Sequence, residues 1–197
     1  MSYKGEFALQ ADSKTDFTES MYKIFENWTW DYEILSSFAK HYETGEVFPK
    51  DLFNNMVKAK NLSSGYNTIR SLKSCIYDMN LYDKYNPENP FDTDELWRTI
   101  DKELGIQLYV EGTHPQGNWI HINTHPVYYY GYLWADVYAQ DMFTEFEKNG
   151  LLDVNTGNRF RELILANGIQ RDIVKSVEEF LGRPSNNEAY IKSLGLN

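Results

Sequence analysis

Two histidines and four tyrosines fall between His121 and Tyr132, inside an aromatic run from Trp119 to Phe143. Imidazole exchanges a proton near neutral pH, and a phenol couples an apolar ring to a hydroxyl that both donates and accepts. Grouped on one element, such side chains can line a polar pocket. They can equally fill a core and tie their hydroxyls to backbone carbonyls, and spacing alone leaves both open. From Tyr128 the pattern is helical. Tyr128, Tyr132, Ala135 and Ala139 form one stripe at steps of three and four, and Tyr129, Leu133, Asp136 and Gln140 form another. The helix is predicted to run to about Lys148, with Asn149-Gly150 as its stop.

The elements that must position this run are helical. Asp16 to Ala39 keeps near-helical spacing of Phe17, Met21, Ile24, Phe25, Trp28 and Leu35, with a break near Trp30-Asp31. Pro49 opens a helix carrying Leu52, Phe53, Met56 and Val57 to about Lys60. Tyr66 to Tyr82 has Ile69, Leu72, Ile76 and Met79 as its predicted core side. Thr93-Asp-Glu-Leu96 reads as a capped start with acidic residues where the helix dipole favours them, and that helix ends near Leu104. Ile106 to Val110 is predicted extended, and Gly112 to Asn118 irregular. Helices follow over Asn158 to Ala166, Gln170 to Phe180 and a short stretch to Leu194 capped by Ser185 or Asn186. The expected class is all-α. Residues 1–15 read as an irregular N-terminal segment and 16–197 as one helical domain, without repeats or low-complexity stretches.

A net charge of −10 argues against nucleic acid or an anionic membrane surface as partner. No run is apolar enough to span a bilayer and no signal peptide is evident, so a cytoplasmic protein is expected. Cys75 is the single cysteine, so no intrachain disulfide can form, and a small buried residue is its ordinary role.

Several spaced stretches resemble one family. They are Asp16-Phe-Thr-Glu19 with Glu26-Asn-Trp28, Phe38 to Gly45, His121 to Trp134, Gly157 to Arg161 through Phe180 to Pro184, and Asn186 to Gly195. Together they are similar to the carboxy-terminal part of the catalytic domain of the thimet oligopeptidase, oligopeptidase A and peptidyl-dipeptidase family of zinc metallopeptidases. The resemblance implies hydrolysis of short peptides by water bound to zinc, held by His-Glu-x-x-His and a later glutamate. None of the four histidines, His41, His114, His121 and His125, belongs to such a motif. His121 and His125 are four apart, but Ile122 follows the first and Pro126 disfavours a helix through the second.

By the same resemblance Glu19 matches the family's third zinc ligand. His121 matches its loop histidine, and Tyr129 and Tyr132 match tyrosines that bind substrate and stabilise the oxyanion of the attacked carbonyl. Tyr128 joins the substrate-binding set. Thr124-His125 stands where the family has a glycine–tyrosine pair, so His125 would replace a tyrosine donor, while Thr124 and Pro126 would stiffen the loop. Gly168-Ile169 likewise stands where a glycine pair is common. Zinc is therefore implied for the intact enzyme. For this chain alone neither bound zinc nor activity is expected, since a catalytic zinc needs about three protein ligands. The expected partners are short peptides, and also an amino-terminal half carrying the missing motif or a second copy of the chain, because Tyr22, Phe25, Trp28 and Trp30 should be partly exposed. A non-catalytic peptide-binding protein, or half of a split enzyme, is the alternative reading.

Overall fold

The structure is a computed structural model that describes residues 14–105, 110–168 and 170–196. Helices make up its regular structure. Among the described residues there is no strand, only one antiparallel bridge between Lys40 and Val47. The all-α expectation holds. The expected extended run at Ile106 and most of the expected irregular segment 1–15 lie outside the described residues, as does Ile169.

The chain gathers into two compact units, one comprising Met1–Leu62 with Trp134–Asn197 and the other Ser63–Leu133. The first unit begins with α1 (Thr15–Thr18), α2 (Ser20–Glu26) and a 3-10 turn over Asn27–Trp30. The predicted break falls at Asp31, which is extended (φ −105°, ψ 126°) and caps α3 (Tyr32–Phe38) by accepting the Ile34 N–H at 3.0 Å. A turn follows in which His41 Nδ1 accepts the N–H groups of Glu43 and Thr44, so this histidine is occupied in shaping the turn. Then comes α4 (Lys50–Ala59), with Pro49 just ahead of it.

In the second unit α5 runs over Ser64–Lys84 and α6 over Thr93–Leu104. The cap of α6 is Asp92, one residue before the predicted start: its carboxylate accepts the N–H groups of Asp94 (2.8 Å) and Glu95 (3.3 Å). Gly105 closes the helix in the left-handed conformation (φ 65°), which a side chain would resist. The short α7 (His121–Thr124) stops before His125, as Pro126 requires.

Helix α8 (Tyr130–Asn149) starts two residues later than the spacing predicts. Tyr128 and Tyr129 precede it, because Val127 turns the backbone at a positive φ of 65°. After α8 the first unit continues with α9 (Val154–Phe160), one π turn (Arg161–Leu165), α10 (Ile173–Leu181) and α11 (Glu188–Ser193). Asp153 and Asp172 cap α9 and α10, and left-handed Gly182 ends α10.

The first unit has an apolar core. Phe17, Met21 and Ile24 pack with Met142, Phe146, Phe160, Val177 and Phe180. Burying each large side chain contributes roughly 1.5–3 kcal/mol. Trp28 caps this cluster with its ring against Phe143 and Phe146, and its indole N–H donates to the Leu151 carbonyl at 2.8 Å. Phe25 is 52% exposed and Tyr22 is 54% exposed, as expected for both.

The second unit buries a different set of groups. Its apolar cluster is Tyr77, Trp97 and Ile100. Leu72 and Met79, predicted as core, are exposed, and α5 turns Lys73, Cys75, Tyr77 and Asp78 inward instead. Lys73 Nζ pairs with the Asp101 carboxylate and lies 3.8 Å from the centre of the Trp97 ring. Burial drives the Lys73 ammonium below its ordinary pKa, and Asp101 partly opposes that by hydrogen bond and charge. Burial, with Asp78 nearby, pushes the Cys75 thiol up to about 11, so it is an unreactive structural thiol.

Candidate functional site

The second unit collects most of the aromatic and imidazole groups singled out from the sequence. The His121 ring lies at centroid distances of 4.9 Å from Tyr129, 5.7 Å from Tyr132, 5.2 Å from His125 and 5.9 Å from Trp119. Tyr129 closes the set edge-on, 4.8 Å from Trp119 and 5.3 Å from Tyr132. Among the described residues no hydrogen bond engages the hydroxyls of Tyr128, Tyr129 or Tyr132. The core-filling alternative required those hydroxyls to be tied to carbonyls. By contrast Tyr82 does what that alternative describes, its hydroxyl donating to the Ile122 carbonyl.

Burial lowers the His121 pKa, and the neighbouring His125 lowers it further, while Asp78 pulls it back up. The ring is therefore neutral at neutral pH. Its Nδ1 is buried and has no hydrogen-bond partner. A neutral imidazole carries one donor and one acceptor, so this group has unused hydrogen-bonding capacity within the cluster. His125 is exposed, with Nδ1 2.9 Å from its neighbour Thr124 Oγ1. Tyr128 is 41% exposed and makes no ring contact with the cluster among the described residues.

Tyr129 also lines a cavity of about 790 Å³ in the same unit, together with Tyr66, Arg70, Lys73, Trp97 and Trp119. Asn67, Ser71, Ser74 and Asn118 complete a mostly polar wall, which suits a ligand rich in hydrogen-bonding groups, such as the amides of an extended peptide. His114, the remaining histidine, is held on the surface by Asp94 (Nδ1 to Oδ2 2.7 Å). His114 and Gln116, hydrogen-bonded to Asp94, keep its carboxyl below the usual range.

One residue of this site gave no signal in the sequence, and another gave one only as the start of the aromatic run. Asp78 is buried on α5 and accepts the backbone N–H groups of Val127 and Tyr129, each at 3.1 Å. Trp119 forms the wall against which His121 stacks. A hydrophobicity pattern could not have singled out Asp78, since a lone aspartate between Tyr77 and Met79 reads as a solvated position.

Glu19 belongs to the other unit, at the junction of α1 and α2, and is partly exposed. Among the described residues no group of three His, Cys, Asp or Glu side chains is placed to hold a metal ion. A catalytic zinc takes three protein ligands and keeps a position open. The described residues therefore do not fit a zinc ion by themselves.

Comparison with known proteins bears on all of this. The chain is 33% identical to saccharolysin of Saccharomyces cerevisiae, covering 92% of this chain and 26% of that protein. It is 32% identical to oligopeptidase A of Salmonella typhimurium, covering 92% and 27%. It is 29% identical to the thimet-like oligopeptidase of Dictyostelium discoideum, covering 100% and 30%. The chain thus spans between a quarter and a third of the length of these curated relatives. The profile of Peptidase family M3 matches residues 4–196, nearly the whole sequence, and on that match the chain belongs to Peptidase family M3.

Proposed function

We propose that this chain is the carboxy-terminal, substrate-facing part of the catalytic domain of a zinc-dependent oligopeptidase that hydrolyses short peptides. The observation that carries the reading is the contact set of His121, Tyr129 and Tyr132 beside the cavity that Tyr129 lines. In this reading Tyr129 and Tyr132 direct their hydroxyls at the carbonyl under attack and donate to its oxygen as negative charge develops. Removing one such preorganised donor costs on the order of 10²–10³ in rate. His121, whose partial burial and neighbour His125 disfavour its charged form, adds a hydrogen bond without adding a charge that would hold the product. His125 takes the place of a donor at the exposed edge of the set, and Tyr128 contacts the peptide outside it.

Glu19 is the proposed metal ligand. Since the described residues supply no complete ligand set, the other ligands must come from beyond them, and no step through the metal is derived from this chain. The chain alone is expected to hold no zinc tightly and to be inactive. Short peptides as substrates are supported by relatives whose names include oligopeptidase. Among the described residues no helix is long and apolar enough to cross a membrane. The relatives include one described as cytosolic and one as chloroplastic/mitochondrial, and the cytoplasm is our assignment from composition.

A second reading is a non-catalytic peptide-binding protein or one half of a split enzyme. Thr124-His125-Pro126 in the loop favours it.

Zinc titration of the purified chain, combined with a peptidase assay on short peptides, tests the assignment. The expected result is no stoichiometric zinc and no hydrolysis. Hydrolysis restored by adding a separate chain that carries His-Glu-x-x-His would select the split-enzyme form. Tight stoichiometric zinc that is lost in Glu19→Ala would contradict the incomplete-site reading, because this chain would then build a whole site.

A further inference from the structure

The loop that carries His121, His125 and Tyr129 is tied to α5 at two points one helical turn apart. Tyr82 donates its hydroxyl to the Ile122 carbonyl, and four residues earlier Asp78 accepts from the far side of the loop. The Asp78 carboxylate is 1% exposed. Oδ1 takes the Val127 N–H and Oδ2 takes the Tyr129 N–H, each at 3.1 Å. A carboxylate withdrawn from water to this degree must be met by donors, and these two amides meet it.

Between them the chain does something costly. Val127 is the one non-glycine residue with positive φ among the described residues, and it is β-branched. Its side chain is 37% exposed, so packing does not explain the conformation. Strain of this kind persists only where the surroundings over-determine it. The pair of hydrogen bonds to Asp78 is the over-determining element, because both close only if the backbone turns at residue 127. The same turn delivers Tyr129 edge-on to His121 and Trp119.

We infer that Asp78 is a positioning residue for the peptide site: its buried carboxylate holds the loop in the strained turn that sets Tyr129 against His121. The inference rests on the reading that this cluster binds peptide, but the clamp and the binding can fail separately. Asp78→Asn keeps the volume and one acceptor while opposing a donor to the other N–H. It should speed amide hydrogen exchange at Val127 and Tyr129 by about 5- to 100-fold, the range for losing a buried hydrogen bond. It should also weaken binding of a mixed-sequence octapeptide by about 10-fold.

The readout that a merely structural role would not move is rescue. Glycine adopts positive φ freely, so adding Val127→Gly to Asp78→Asn should recover most of the lost peptide affinity, although no acceptor returns to the amides. Unchanged protection in Asp78→Asn would overturn the clamp, and so would failure of Val127→Gly to rescue. Lost protection with unchanged peptide affinity, while Tyr129→Phe does weaken binding, would overturn the positioning role. If Tyr129→Phe and His121→Ala both leave peptide binding unchanged, the functional reading fails, and amide exchange still decides the clamp. Should Asp78→Asn not fold, Val127→Gly alone carries the test. Exchange at Tyr129 should stay equal or slow, and acceleration by tenfold would mean that the valine side chain, not the carboxylate, shapes the loop.

Discussion

Met142, Val177 and Phe180 in one unit and Lys73, Asp78 and Asp101 in the other are all withdrawn from water, yet they are held there by different physics. The first set needs nothing but shape. Apolar side chains leave water and fill space, and each contributes in proportion to its area. The second set would be expelled by the same environment unless every charge and donor met its partner. Its contribution lies in discrimination, since only one arrangement satisfies Lys73 with Asp101 and Asp78 with two loop amides. The candidate site stands on the second kind of interior, where a loop can be fixed to within the length of a hydrogen bond. The contrast is one of emphasis, because the first unit also buries Asp141, which Arg183, Ser185 and the Asn186 N–H satisfy.

The sharpest way to break this comparison is to remove one member from each interior. Phe180→Ala should cost about 3–5 kcal/mol in urea unfolding, and only refilling the cavity should restore it. Asp101→Ala should cost a similar amount, about 3–5 kcal/mol, by stranding a buried ammonium. Here, however, Lys73→Met with Asp101→Leu should bring stability back near the starting value, since no charge is left to satisfy. If the double variant is as unstable as Asp101→Ala, the second interior depends on packing after all.

The Lys73 pair also sets a pH dependence. Its folded pKa lies below the unfolded value, so between the two the unfolded chain binds more protons and stability rises with pH. The deficit of Asp101→Ala should therefore shrink between neutral pH and about 10, where the stranded amine can lose its proton.

Asp141 gives the next effect. Burial pushes its carboxyl up, but the hydrogen bonds from Arg183, Ser185 and the Asn186 amide, with the charge of Arg183, outweigh burial and leave it below the usual range. The group's contribution is then complete above the unfolded pKa of about 4 and is lost as pH falls through the folded value. Asp141→Asn should cost about 2 kcal/mol at pH 7 and flatten the acid limb of the stability profile below pH 4. An unchanged acid limb would remove Asp141 from the account. The smallest expected effect is at a helix end. Asp92→Ala should cost about 1 kcal/mol by freeing the first amides of α6, and thermal melting would detect it.

What was legible in the sequence follows the same division. Helices could be read where a start, a break or a stop marked them, as at Pro49, Asp31 and Asn149-Gly150, and the apolar cluster of Phe17, Met21 and Ile24 followed from spacing. In α5 the periodicity pointed to Leu72 and Met79, which are exposed, and passed over Lys73 and Asp78, which are buried. A pattern of apolar residues cannot find a face made of charges, because the partners that make their burial tolerable are 28 to 51 residues away in the chain.

The candidate site was legible as a composition of histidines and tyrosines and as a family resemblance. Its geometry was not, because Val127 turns the chain by a conformation that valine rarely adopts, and this moves Tyr128 and Tyr129 off the predicted helix. Tyr129 nonetheless joins the cluster, while Tyr128 stands outside it.

The measurement closest to the centre of this account is a peptide titration of the intact chain followed by NMR of its aromatic and imidazole side chains. An octapeptide of mixed sequence should shift the rings of His121, Tyr129 and Tyr132 together, and Tyr129→Phe should weaken the binding. Residues around the cavity of about 480 Å³ in the other unit, such as Trp30, should stay in place. Shifts confined to that second cavity, or saturating binding that leaves His121 and Tyr129 unmoved, would contradict the assignment of the tyrosine cluster as the peptide site.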